Sequence, residues 1–477
     1  MSKLRAAFAW RRQLGGSRGR TALERGSAYG HCAALGASAV ALALFGCGES
    51  DAWQQPSAVR LELAPELATV VRVSWNTASP TRGYVEYGPD GARQWSTPLE
   101  TVPSRSHSQV LLGLRADTDY SLRVVTWDGR EAGASRVEQV RTGVLPRALP
   151  SFEQSGEGLD GFVVLPLRSP SPGVVILDPA GHIVWYHLDE SGLEPLRARL
   201  AADAQSVIYN VVSVAEASSD ESAIIRVALD GSESTATPVP FLAHDFVELP
   251  DGKLAALAVE RRDDGVRSDS VIEIDADGTT TRAWSALDCF DPGVTSGDDP
   301  ALGWTYANAL TYVHSDSDPA AQSYYVGLRN FSSIVKVARG SGDCAWVLGS
   351  AGATLDFAKG VTPFVHQSGF DVYSNRVLVM DNGLPSGASR VVEYELDPEA
   401  SSVTERATYG EPQEKFAGEL GAATRLVDGS WFVNWASLGR LELVDRGSLQ
   451  WQLSAARATF GYHTLAKTLY AGEGRRP

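Results

Sequence analysis

The chain is poor in the residues that metal, redox and thiol chemistry use: four cysteines, two methionines and eight histidines in 477 residues. No His, Cys or acidic residues recur at ligand spacing, so no metal site is expected. Past residue 47 there is no G-x-S-x-G motif, no P-loop, and no Rossmann glycine pattern at a strand-to-helix turn. Serine-hydrolase and nucleotide chemistry are therefore unsupported, and no cofactor is expected. No apolar run is long enough to span a membrane permanently. Positive charge is scarce too: the net charge is -16, and residues 1 to 46 carry seven Lys/Arg against one Glu, a local +6, leaving about -22 (-16 minus 6) for the rest. A body so acidic repels phosphate backbones, which argues against a nucleic-acid partner.

What stands at the start is a basic region followed by "CAALGASAVALALFGCGES", an apolar run of roughly 15 residues ending at Cys47. It resembles a bacterial lipoprotein signal, with residues 1–47 as signal peptide and lipobox, a lipid on Cys47, and 48–55 as a linker. The alternative is an ordinary secretory signal with an accidental cysteine. Arg11-Arg12 is a weak twin-arginine hint. Either way the expected location is the cell envelope, with membrane contact through the N-terminal anchor only. Gly48 after the cysteine points to the outer membrane by the same resemblance. Beyond Cys32 and Cys47 only Cys289 and Cys344 remain, and two cysteines in an oxidising compartment are more economically a disulfide than a metal site.

The rest reads as β structure. A hydrophobic content of 43% with 12 Trp and 46 Gly fits a turn-rich β protein. Residues 56–145 alternate in short strands separated by Gly, Pro and Asp turns, and "LRADTDYSLRV" resembles the tyrosine-containing strand of a fibronectin type III β-sandwich. His107 is expected at its surface and Trp127 in its core. Over 158–470 one phrase recurs six times, starting near 161, 206, 244, 306, 366 and 421. Each copy has a short strand, a tight turn and further apolar strands, often with a Trp. About four strands per copy is the grain of a β-propeller blade, so the fold class is all-β: a six-bladed β-propeller preceded by a small fibronectin type III-like β-sandwich. A helical solenoid is the weaker alternative.

In a propeller the innermost strand of every blade faces one axis. Counting back from the turns, His244 stands eight residues before Gly252 and Gly421 eight before Gly429, with His366 about as far before Ser374-Asn375. Tyr306 takes the corresponding place in the fourth copy, two residues before Asn308. This places His366, His244 and Tyr306 around one channel mouth, where buried polar rings need a shared ligand or network. Arg329, at the end of the apolar strand in "YYVGLRNFSSIVKV", adds a cation that either pairs with a carboxylate or receives an anion. His182, His187, His314 and His463 are read as structural. Imidazoles, an amide, a phenol and a guanidinium around one cavity suit a small tetrahedral anion.

The motifs "AHDFVELPDG", "WTYANALTYV", "YYVGLRNFSSIVKV" with "CAWVLGS", and "VHQSGFDVYSNRVLVMDNG" resemble the successive blade motifs of the bacterial aryl-sulfate sulfotransferases, over nearly all of 56–470. The resemblance implies that a sulfuryl group moves from a phenolic sulfate donor to a phenol acceptor in a ping-pong cycle. His366 would be the nucleophile and form a sulfohistidine, His244 and Arg329 would stabilise charge, and Tyr306 and Asn308 would bind substrate. Some members of that family are dimers, so a homodimer stays open. The family pattern W-x-H-x-N has histidine where this chain has Tyr306, and a phenol is a poor proton shuttle at neutral pH. Two other readings follow: a non-catalytic envelope propeller lipoprotein that binds a ligand or partner, and a hydrolase that uses water in place of phenol.

Overall fold

Blade-forming strands in this chain are apolar on both faces, as Gly173–Leu177 (GVVIL) and Val377–Met380 show, all buried. Only strands sandwiched between neighbouring sheets can hide both faces, and stacking sheets radially does this. The computed structural model describes residues 55–213, 221–295, 303–314, 321–383, 387–410 and 416–471. The expected signal peptide and lipobox, with Cys47, and residues 48–54 of the expected linker lie outside them. The chain is all-β, 56% strand and 2% helix, which removes the solenoid alternative.

Six sheets form the six blades of a propeller. Blades two, three, four and six each run outward through four consecutive antiparallel strands, beginning at Glu194–Leu200, Leu242–Glu248, Ala307–Val313 and Ala422–Arg425. Blade five begins at Phe370–Tyr373 and carries the short parallel strand Asp356–Phe357 on its outer edge. Asp-Gly turns with left-handed glycine, such as Asp251-Gly252 and Asp428-Gly429 (φ 84° and 92°), join successive strands, because only glycine adopts that conformation without strain.

Two of the six phrases divide differently from the sequence reading. The strand near 161, Phe162–Ser169, is second in its blade: its inner place is filled by Thr459–Phe460 and Thr464–Ala466 from the C-terminal end. Blade two starts at Glu194–Leu200, upstream of the copy placed at 206. At the other end, Glu153–Gly156 adds a fifth strand to the outside of blade six. Both ends of the propeller segment thus pair with strands remote in sequence, and no local pattern could show either pairing.

The N-terminal unit is built on one long strand, Leu67–Pro89. Its first half pairs with Ser57–Ala64 and Ser104–Leu111, and its second half with Asp119–Trp127. The two halves enclose Trp75, Tyr87 and Tyr120. His107 is 5% exposed and stacks on Trp75 at 4.8 Å, with Nδ1 2.7 Å from Glu100. Trp127 is 36% exposed under the Arg82 guanidinium. The expected roles of these two are exchanged: an imidazole paired with a carboxylate can enter a core, and a Trp at the end of its strand, covered by a guanidinium, can be left outside it.

Cys289 and Cys344 form a disulfide across blades three and four, with Cα atoms 5.9 Å apart and a sequence separation of 55. Replacing both by serine is expected to lower stability by about 2–4 kcal/mol through the freed unfolded chain. Urea unfolding of both forms checks this; an unchanged midpoint would show that the bond adds nothing to the blade interface.

Candidate functional site

The inner strands of blades three to six are entered through residues in the left-handed backbone region although none is glycine: Phe241 (φ 65°), Tyr306 (φ 50°), His366 (φ 52°) and Leu420 (φ 54°). This conformation costs a non-glycine residue of order 1–3 kcal/mol and persists only where its surroundings demand it. Tyr306 and His366 therefore hold corresponding places at the mouth. His244 stands three residues beyond Phe241, inside the strand. Counting back from the turns misaligns them for a visible reason. Blade three has a five-residue turn, between paired Glu248 and Leu254, and an irregularity between Leu242 and Phe246. Blade five turns in two residues, between paired Tyr373 and Arg376.

At this mouth a cavity of about 40 Å³ is lined by Arg168, His244, Tyr306, Asn308, Arg329 and Ser368, with Glu419 among its walls. Four of the five residues expected to act together meet there. The His244 and Tyr306 rings lie 5.1 Å apart, and the Arg329 guanidinium carbon lies 5.4 Å from the Tyr306 ring centre. Asn308 Nδ2 donates to the Gln367 carbonyl at 2.7 Å, while Asn308 Oδ1 and His244 Nδ1 are buried without a hydrogen-bond partner. Two unmatched polar atoms on one small cavity are costly unless a bound group satisfies them. Arg329 donates to Asn330 Oδ1 at 2.9 Å, and no carboxylate lies within ion-pair distance of it among the described residues. The salt-bridge alternative for this cation is thus not found.

Burial, reinforced by the nearby Arg168 guanidinium, lowers the His244 pKa to about 4 against the upward pull of Asp245. Its imidazole is neutral at physiological pH. Burial raises the Tyr306 pKa, with Arg329 only partly offsetting it, so the phenol keeps its proton and acts as a donor. The cavity then offers a fixed cation, a phenolic O–H, a neutral imidazole and an amide.

His366 is placed differently. It is half-buried, and its backbone N–H donates to Ser332 Oγ at 3.1 Å, beside the turn that carries Arg329. Its ring is not among the described side chains that line the cavity. Arg168 and Glu419 escaped the sequence reading. Arg168 ion-pairs with Glu194 and, at 3.3 Å, with Glu419, which is 60% exposed. Arg168 stands on the second strand of blade one and Glu419 in the segment leading into blade six, so no repeated phrase marks either one.

Next in sequence to the cavity-lining Leu196 and His244, Arg197 and Asp245 form a buried ion pair. Arg197 donates from Nε and Nη2 to Asp245 at 2.6 and 2.8 Å, and from Nη1 to the His463 carbonyl at 2.8 Å. Asp245 also accepts from the Leu310 N–H at 2.9 Å. The Tyr462 ring lies 4.6 Å under the guanidinium, and its hydroxyl donates to the Asn308 carbonyl at 2.7 Å. A larger cavity of about 1100 Å³ lies between the N-terminal unit and blade two, but none of the expected site residues lines it. Among the described residues no group of three or more His, Cys, Asp or Glu could hold a metal ion.

A family model described as "Arylsulfotransferase (ASST)" matches residues 160–455. No curated protein matches significantly. Among solved structures, the chain is similar to a protein of unknown function from Bacteroides caccae (14% identity, 63% of this chain and 95% of that one, TM-score 0.41). It is also similar to an inactive virginiamycin B lyase from Staphylococcus aureus solved with quinupristin (10% identity, 64% and 99%, TM-score 0.37). Likeness at this level says nothing about activity.

His244 and the fully buried His463, whose pKa burial lowers to about 3, make stability depend on pH. Unfolded, both take up protons as the pH falls through about 6.5; folded, they resist until about 4 and about 3. The unfolded state binds more protons in that window, so these histidines make the protein lose stability as the pH drops from 6.5 towards 4. Urea unfolding of the wild type and His463→Gln at neutral pH and near ~4.5 should show the shallower loss in the variant. Equal losses would contradict a buried, neutral His463.

Proposed function

Because the chain belongs to the arylsulfotransferase family, we propose that it moves a sulfuryl group from a phenolic sulfate ester to a phenolic acceptor. The observation that carries this reading is the small cavity where an unpaired Arg329, the Tyr306 phenol and the unmatched His244 Nδ1 and Asn308 Oδ1 converge. Arg329, the Tyr306 hydroxyl and a His244 N–H can donate to sulfuryl oxygens, over which charge spreads in the transition state, and donors fixed in advance need no reorganisation; Asn308 Oδ1, whose amide N–H is already given to Gln367, can only accept. A cavity of about 40 Å³ has room for a headgroup but not an aryl ring. The ring would sit outward, at the rim where Arg168 meets Glu419.

In the proposed first step an imidazole nitrogen of His366 attacks sulfur, the sulfur–oxygen bond to the aryl group breaks, and phenolate leaves. In the second, the acceptor phenol oxygen attacks sulfur, the nitrogen–sulfur bond breaks, and the acceptor proton passes to a base at the mouth. His366 must turn towards the cavity to do this. Its place at the same strand mouth as Tyr306, beside the Arg329 turn, supports the assignment. Tyr306, kept protonated by burial, would hydrogen-bond a sulfuryl or leaving oxygen rather than shuttle a proton.

The same proposal extends to the rest of the chain. Residues 56–145 are read as a fibronectin type III-like spacer, supported by the Tyr120 hydroxyl, which accepts the Arg115 N–H at 2.8 Å as a tyrosine corner does. Residues 158–470 are read as the catalytic propeller, held at the envelope by a lipid on Cys47. One observation favours a second reading, a non-catalytic binding propeller: the His366 ring stands outside the cavity while Tyr306 occupies it.

Protein lacking residues 1–47, given 4-nitrophenyl sulfate, should release nitrophenol only when a phenol is present. His366→Ala should lower that rate by at least about a thousandfold. Tyr306→Phe should cost about a hundredfold, as loss of one transition-state donor does. Binding of the sulfate ester without turnover by any phenol would favour the binding reading, and sulfate release without phenol the hydrolase.

A further inference from the structure

The axis has a second chamber. Four inner strands give early residues to the cavity described above and later residues to a second cavity of about 680 Å³. His244 faces the first and Val247 the second; likewise Asn308 and Leu310, Ser368 and Phe370, and Leu420 and Ala422. The two therefore open at opposite ends of the propeller, separated by the Arg197–Asp245 pair and Tyr462.

Two polar groups in this second chamber keep capacity for a ligand, the buried His463 and the half-buried Arg199. His463 is 3% exposed; its Nε2 lies 3.1 Å from Thr424 Oγ1, and its Nδ1 has no partner. Arg199 donates from Nε to the Phe246 carbonyl at 3.0 Å, and no carboxylate lies within ion-pair distance of it among the described residues. Its remaining N–H groups are unassigned. The carboxylates of the chamber are occupied. Asp371 accepts from the Val372 and Arg425 backbone N–H groups, both at 2.9 Å, and Glu248 from that of Ala202 at 2.8 Å. Around these groups the walls are apolar, with Leu310, Phe370 and Leu465. Tyr312 and His314, also lining it, stack with ring centres 5.8 Å apart and planes 10° from parallel.

We propose that this chamber is a second ligand site, which takes a small aromatic oxyanion. The anionic group would sit on the Arg199 guanidinium and accept a hydrogen bond from His463 Nδ1, the tautomer fixed when the Thr424 hydroxyl donates to Nε2. The aryl ring would lie along Phe370 and the Tyr312–His314 pair. A half-buried guanidinium beside apolar and aromatic walls favours this class, because a cation with no carboxylate partner among the described residues binds an anion and the flat walls suit a flat body. The site is independent of sulfuryl transfer, and its test reads binding alone.

The probes are benzenesulfonate and benzoate, which cannot donate a sulfuryl group, with inorganic sulfate as the headgroup without its ring, each titrated calorimetrically into the whole soluble protein. Arg329→Gln disables the first cavity and should leave one aryl anion bound per chain. Adding Arg199→Gln should weaken that binding by about tenfold or more, as loss of a charged hydrogen bond does. Adding Thr424→Val in its place, which frees His463 without removing the cation, should weaken it by about fivefold. If Arg199→Gln does not fold, as thermal unfolding would reveal, the Thr424→Val result decides. Benzoate and benzenesulfonate together separate a carboxylate preference from a sulfonate one; binding of either supports the site. Three results would overturn the proposal: no aryl anion binding in the Arg329→Gln protein, unchanged affinity in the folded variants, or inorganic sulfate binding as tightly as benzenesulfonate.

Discussion

The buried ion pair between Arg197 and Asp245 is the constraint on which the axis depends. Arg197 belongs to blade two, Asp245 to blade three, and the groups they engage, the His463 carbonyl and the Leu310 N–H, to blades one and four. Four blades are thus tied at one point by charge-assisted hydrogen bonds. Such a pair repays its desolvation only when nearly every donor and acceptor is used, and here nearly all are: both carboxylate oxygens and three guanidinium nitrogens have partners. The pair also closes the axis between the two chambers.

On either side of that plug the polar bookkeeping is left open. In the first chamber His244, Asn308 and Arg329 keep unmatched capacity; in the second, His463 and Arg199 do. Other buried polar groups of the propeller are matched, as where Asp269 accepts from the Thr305 hydroxyl and the Ala307 N–H, although Ser268 Oγ, Gln367 Oε1 and Asn434 Oδ1 are not. Unmatched groups that face a cavity are what a protein that binds polar ligands on its axis requires, since the ligand completes the network. Two of the chain's left-handed residues, Tyr306 and His366, stand at the first mouth, where a fixed orientation is worth its conformational cost.

The blades were legible because their signal is local. Apolar strands joined by Asp-Gly turns recur at a period short enough to see, and His244, Tyr306, Asn308 and Arg329 fall on the strands and turns that such a repeat brings to one axis. Register was not legible. The turn lengths of blades three and five differ, so a count from the turn set both His244 and Tyr306 in register with His366, whereas the backbone keeps only Tyr306 there. Arg168 and Glu419 went unnoticed because each belongs to a different blade and meets the other only through closure of the ring.

The order and apolar content of the strands, the turn residues and the chemical types of the site were determined by the sequence alone, since each follows from the preferences of neighbouring residues. The tertiary structure decided the rest. The pairing of Glu153–Gly156 with blade six and of Thr459–Ala466 with blade one, the exchange of His107 and Trp127 between core and surface, and the division of the axis into two chambers all depend on contacts between residues far apart in the chain. Burial, not residue type, then settled the charges: one desolvated imidazole is neutral and one phenol keeps its proton, while Arg199 and Arg329 have no carboxylate partner among the described residues.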